Sequence, residues 1–238
     1  MSMGKEDFLA RLETALQDTA EKLQSDDKNR LLLQAVLVYS KDRPRELAYE
    51  ITGDGTAYDF AMPSTWIEGF SNIIGQIEYP ANDYQNPAYI EDDEWTFFRK
   101  LVAGVTTKYI RFTTFIPANT KIARFIFTVS HTLDETTNTI VDNDIEAVVN
   151  LAAALCFWAL AAKFAQTTDP SIDADVIDYQ RKSDLYATLA KEKLATYNSL
   201  MGIGEEAKGA AGAGSVTKDL DIIFPWGEDY LTHPIRQR

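Results

Sequence analysis

The side chains of this 238-residue chain that could do chemistry are two histidines, His131 and His233, one cysteine, Cys156, and three groups of carboxylates. Neither histidine has a second ligand at helical spacing, and no H-E-x-x-H or Cys/His pattern occurs, which argues against a zinc site. The carboxylates fall at Glu91 to Glu94, at Asp142 with Asp144 and Glu146, and at Asp173 with Asp175 and Asp178. The second and third groups lie at expected helix starts, where acids favour the dipole, and the first precedes Trp95 at an expected turn. None carries the glycine and terminal glutamate of a calcium loop. No G-x-S-x-G elbow, phosphate-binding G-x-x-x-x-G-K-S/T or G-x-G-x-x-G is present, and Gly53-Asp54-Gly55 reads as a hairpin turn. Cys156 lies inside an apolar run and reads as a small core residue, since a reactive thiolate wants an electropositive, partly exposed setting. The expectation is a protein without catalytic, metal or cofactor chemistry. One other class stays open: Tyr58, Trp66, Tyr84, Tyr89 and Trp95 could line a sugar-binding cleft between sheet and helices, although such aromatics more often serve as core or interface.

The net charge of −13 argues against a surface that holds nucleic acid by neutralising phosphates, which needs clustered Lys and Arg. An acidic wall suits a conduit past which DNA slides better than a clamp. A hydrophobic content of 45% allows a proper core. A lone cysteine makes no internal disulfide, and the N-terminus MSMGKEDFLARLETALQ has no uninterrupted apolar region, so neither a signal peptide nor an oxidising compartment is expected.

The element that organises the rest is the stretch Val141 to Gln166, expected as a helix of about 142–166 with Asp142 as its N-cap. From Leu151 to Ala162 it is apolar on every side, with six alanines and with Leu151, Leu155, Phe157, Trp158 and Leu160 supplying bulk as the core spine. A helix apolar all round is expected to be buried all round. Twelve such residues rise about 18 Å, short of the ~30 Å of a bilayer core, so no membrane span is expected.

Before it, apolar periodicity predicts a helix over about 6–23, with Phe8, Leu12, Leu16 and Leu23 on one face, and another over about 26–42, with Leu32, Ala35, Val36 and Tyr39. Residues 47–131 change to short β-prone runs, including ITGDGTAYDFAMP as strand, turn and strand, and predict a small antiparallel sheet inserted between two helix pairs. After the spine, a helix over about 172–201 is expected to present Tyr179, Tyr186, Leu189, Leu194, Tyr197 and Met201. The fold class is therefore α+β, mainly α: a four-helix bundle core (1–201) with an inserted β region. An extended C-terminal arm (202–238) begins with the linker GIGEEAKGAAGAGS. Ile222, Ile223, Phe224, Trp226 and Tyr230 are too apolar for a solubilising tail, and Pro225 and Pro234 keep them from extending a helix, so the arm is expected to dock, either on its own core or on a neighbour.

Several stretches, in order, resemble the head-to-tail connector or adaptor proteins of tailed bacteriophages: AVLVYSKDRPRE (35–46), YDFAMPSTWIEGFS (58–71), IEYPA (77–81), HTLDETTNTIVDNDIEAVVNLAAA (131–154) and RKSDLYATLAKEKLATYN (181–198). The similarity covers roughly residues 5–201. It implies a structural virion protein, assembled in a host cytoplasm and located at the head-tail junction. There it would form a homo-oligomeric ring, commonly of twelve copies, that binds the portal protein, carries a downstream neck or tail protein and lets genomic DNA through its lumen without specific binding. It also implies a portal-docking arm, carried here onto Ile222, Ile223, Phe224, Pro225, Trp226 and Tyr230, although the segment after Met201 matches no family motif. Tyr84, Tyr89 and Trp95 in the β region are expected to contact neighbouring subunits or the next ring. Another neck or tail-completion protein is the nearest alternative.

Overall fold

The computed structural model describes residues 3–17, 22–82, 88–102, 104–166 and 173–203, with the backbone alone at 102, 105 and 173–180. Among the described residues are four α-helices, α1 (Lys5–Leu16), α2 (Ser25–Asp42), α3 (Ile145–Gln166) and α4 (Asp173–Met201). Between α2 and α3 the described residues form seven strands: β1 (Arg45–Thr52), β2 (Asp59–Ala61), β3 (Ile73–Glu78), β4 (Tyr89–Ile90), β5 (Trp95–Val102), β6 (Val105–Phe112) and β7 (Ile122–Val129).

The helices pack around α3. Phe8, Leu12 and Leu16 of α1 and Leu32, Ala35, Val36 and Tyr39 of α2 are buried against it, so the periodic stripes face the core. The first helix is shorter than its periodicity suggests: Gln17 adopts a left-handed backbone (φ 48°) and donates its N–H to Glu13, which ends the helix at Leu16. On the other side α4 runs antiparallel to α3. Ser183 bonds the Ala161 carbonyl at 3.0 Å, Lys193 bonds Asn150 Oδ1 at 3.1 Å, and Tyr186 stacks on Phe157 and Phe164. The Lys193 bond explains how a polar Asn150, only 4% exposed, sits in an apolar helix: its amide also donates to the Glu146 carbonyl, so both ends are satisfied.

Two expectations about the spine are corrected. It is not buried all round: Leu151, Phe157 and Leu160 are buried, but Leu155 is only partly so and Trp158 is 37% exposed. Three helices cannot surround a fourth, and the uncovered side carries Trp158. Asp142 does not cap the helix. It opens a short 3-10 turn, Asp142–Asp144, whose Asp144 faces inward to α2 instead of towards the helix N–H groups. The stretch Asp142–Gln166 has the length and composition to cross a membrane, with interruptions that the twelve-residue count left out, yet 72% of its apolar window is buried against the protein. Its apolar surface is that of a core helix.

The β region forms two sheets instead of one. The first has the order β1-β7-β3-β4 and the second β2-β6-β5, all antiparallel. Ile51, Ala123, Phe125 and Phe127 from the first and Ile110 and Phe112 from the second share one apolar cluster. Trp66 bridges the two, its ring 5.7 Å from Phe127 and 5.3 Å from Phe97. The expected hairpin at ITGDGTAYDFAMP is overturned, because β1 pairs with β7 and β2 with β6. The Gly-Asp-Gly turn redirects the chain between sheets. Asp54 accepts the N–H groups of Thr56 and Ala57 at 2.8 and 2.7 Å, while Gly53 and Gly55 donate to the carbonyls of Lys121 and Pro117. A Cβ on Gly53 would stand 2.4 Å from the Ala118 oxygen, so only glycine lets the two loops meet.

Candidate functional site

Where the helices meet the β region, the structure assembles a buried polar junction. Tyr39 Oη donates to Asp144 Oδ2 at 2.7 Å, and Arg43 Nη1 bonds the same oxygen at 2.6 Å. One helical turn along, Tyr197 of α4 donates to Asp42. His131, 6% exposed, packs against Tyr39 with the rings tilted and their centres 4.8 Å apart, its two ring nitrogens facing the carbonyls of Thr139 at 2.7 Å and Arg43 at 2.9 Å. The His131 N–H donates to Ser40 Oγ, whose hydroxyl returns to the Val36 carbonyl. Burial first, then the Asp144 carboxylate, holds the Tyr39 phenol above its ordinary range; burial and Asp42 do the same for Tyr197. Each of these side chains is engaged by another side chain or by a backbone carbonyl, which suits a clamp between elements.

Among the described residues no three of His, Cys, Asp or Glu come close enough to hold a metal. Asp142 and Glu146 lie at the start of α3, and Asp144 is engaged by Tyr39 and Arg43. In the turn before β5, Glu94 folds back onto the Glu91 N–H and receives the Thr114 hydroxyl. Cys156 is fully buried in α3.

The aromatic candidates separate. Tyr58 and Tyr89 are exposed, at 48% and 57%. Trp66 lines a small depression of about 230 Å³ with Ser64, Glu68, Thr107 and Lys108, and Lys108 lies over its ring at 4.8 Å. Trp95 packs edge-on to Phe97 and borders a different depression of about 600 Å³, with Ile73, Gly75, Gln76 and Asp92. Tyr84 and the arm residues Ile222, Ile223, Phe224, Pro225, Trp226 and Tyr230 lie outside the described residues.

Charge is segregated along the β region in a way that the whole-chain balance hides. Residues 46–94 carry eleven acidic side chains and no basic one, whereas 95–133 carry six basic ones, Arg99, Lys100, Lys108, Arg111, Lys121 and Arg124, and no acidic one. The two blocks meet across strands. Arg111 forms a two-pronged pair with Asp59 at 2.6 and 2.8 Å, Arg124 reaches Glu50 at 2.6 Å and Glu78 at 3.6 Å, and Arg99 bonds Glu68 at 2.5 Å. The guanidinium groups hold the Asp59 and Glu68 carboxyls below the usual range. Counting charges in windows would have found this block pattern in the sequence. The junction had no such signal, because Tyr39 and Asp144 are 105 positions apart.

No family model matches the chain, and no curated protein matches it. Among solved structures, a chain described as the neck of an empty GTA particle, computed with C6 symmetry, is weakly similar. The match has 10% identity and a TM-score of 0.25, and it covers 75% of this chain and 87% of the other. At that score it carries no argument about fold or role.

Proposed function

We propose that this chain is a structural protein of the neck of a tailed-phage-type particle: a connector that forms a homo-oligomeric ring between the portal and the next neck or tail protein. In this reading four helices make the bundle of each subunit, the ring lumen passes DNA without gripping it, and the segment 202–238 docks on the portal.

One observation carries the proposal. Three of the stretches that resemble connectors, 35–46, 131–154 and 181–198, meet in a single polar junction through Tyr39, Asp42, Arg43, His131, Asp144 and Tyr197. Residues similar to that family are thus the ones that lock α2, α3 and α4 to the base of the β region.

The test compares full-length protein with a version ending at Met201, each mixed with the cognate portal and examined by native mass spectrometry. The expected result is a stoichiometric ring on the portal that is lost on truncation, while the circular dichroism of the core is kept. Association by neither version would return attention to the depressions beside Trp66 and Trp95 as ligand sites, to be probed with a glycan array.

A further inference from the structure

We propose that the β5–β6 hairpin is an assembly arm, with its Leu101 tip seated in the depression beside Trp95 of a second copy of this chain. The inference deepens the ring reading above and rests on it.

The hairpin projects. β2 pairs with β6 from Tyr109 to Arg111, and the Met62 N–H extends this to the Lys108 carbonyl, so among the described residues no third strand pairs with the hairpin from Lys100–Thr107 outward. β5 is also an open sheet edge, the kind of feature a partner covers. At its end the sequence Leu101-Val102-Ala103-Gly104-Val105 is apolar, and Leu101 is 70% exposed, the most of any large apolar side chain among the described residues. The flanks are cationic: Arg99 and Lys108 share the single carboxylate of Glu68, and Lys100 lies over the Tyr109 ring.

The opposite end of the same hairpin has the complementary character. The depression of about 600 Å³ is walled by Trp95 and Ile73, floored where Gly75 leaves open space in place of a side chain, and rimmed by Asp92. Asp92 and Asp93 are exposed and form no ion pair among the described residues. An apolar tip flanked by cations therefore has its counterpart in a Trp95-walled hollow rimmed by anions, which is the charge complementarity a specific contact needs.

The contact must be between molecules. Leu101 lies six residue steps along β5 from Trp95, about 20 Å at roughly 3.3 Å per step, so the tip cannot reach its own hollow. Two different surfaces, the tip of the β5–β6 hairpin and the hollow between the start of β5 and β3, give a head-to-tail interface, and repeated head-to-tail contacts close into a ring when the rotation allows.

Disulfide trapping tests the placement. Leu101→Cys and Gln76→Cys lie on exposed positions, and the native Cys156 is fully buried. Under oxidation a chain with both substitutions should give a ladder of multimers. A mixture of the two single variants should stop at dimers, and neither single variant alone should cross-link. In parallel, Lys100→Glu should weaken self-association about tenfold, and adding Asp92→Lys in the same chain should restore it to within about threefold. Wild-type multimers without a ladder would overturn the arm and leave the ring reading standing. Cross-linking by Leu101→Cys alone, or unchanged association of Lys100→Glu, would also overturn it. A wild type that never multimerises, alone or with portal, would remove the ring reading itself.

Discussion

The phenol of Tyr39 donates a 2.7 Å hydrogen bond to Oδ2 of Asp144, tying the end of α2 to the entry of α3 across 105 residues of sequence. Asp144 is 5% exposed and also receives Arg43, so a single carboxylate oxygen holds two elements. Removing it should cost more than removing either partner. Asp144→Ala strands a buried phenol and a half-buried guanidinium and should cost about 3 kcal/mol, whereas Tyr39→Phe should cost about 1 kcal/mol because Arg43 still neutralises the acid. Urea denaturation of both variants and the double variant checks this; additive losses would mean that the bond carries no coupling.

The same junction makes the fold sensitive to alkali. Tyr39 and Tyr197 are held above their ordinary range, mainly by burial. A phenol raised in the fold keeps its proton after the unfolded chain has lost it, so this stabilisation is whole below about pH 10 and is lost as the pH rises further. Titration of phenolate absorbance should show these two tyrosines ionising only with unfolding. Early, reversible ionisation of all tyrosines with the far-ultraviolet circular dichroism intact would contradict it.

The two glycines with opposite surroundings give a paired test. Gly53→Ala drives a Cβ to within 2.4 Å of a backbone oxygen that cannot move without the 117–121 loop, and should destabilise by roughly 2–3 kcal/mol. Gly75→Ala meets nothing within 4 Å and pays only for its φ of +70°, about 1 kcal/mol. Equal losses in thermal unfolding would show that the loops separate freely.

Much of the helical core was legible. The 3.6-residue stripe of α2, Leu32, Ala35, Val36 and Tyr39, is buried as its spacing requires, because periodicity reports which face an element hides. Periodicity does not report how many neighbours cover it. Trp158 is exposed in an unbroken apolar run for that reason, and Asp144 turns inward because its partners come from a helix a hundred residues away. The Gly-Asp-Gly turn was legible as a turn but not as a crossing between sheets, since its conformation is set by the carbonyls of Pro117 and Lys121. Trp95 and Tyr89 are both in the β region where expected, one half-buried beside a hollow and one exposed.

The open side of α3 separates two adjacent aromatics. Phe157, 5% exposed and stacked on Tyr186, should cost about 3–5 kcal/mol when changed to alanine. Trp158→Ala should cost well under half of that, since over a third of Trp158 already faces solvent. Chemical denaturation of the two variants decides it; equal losses would mean that the spine is covered on all sides in solution.

The measurement that bears most directly on the connector reading is electron microscopy of the full-length chain bound to its portal. The account predicts a closed ring of fixed copy number stacked on the portal, with the β5–β6 hairpin of each subunit against the next. Particles in which the portal is bare, with the chain remaining a monomer at every concentration, would contradict it.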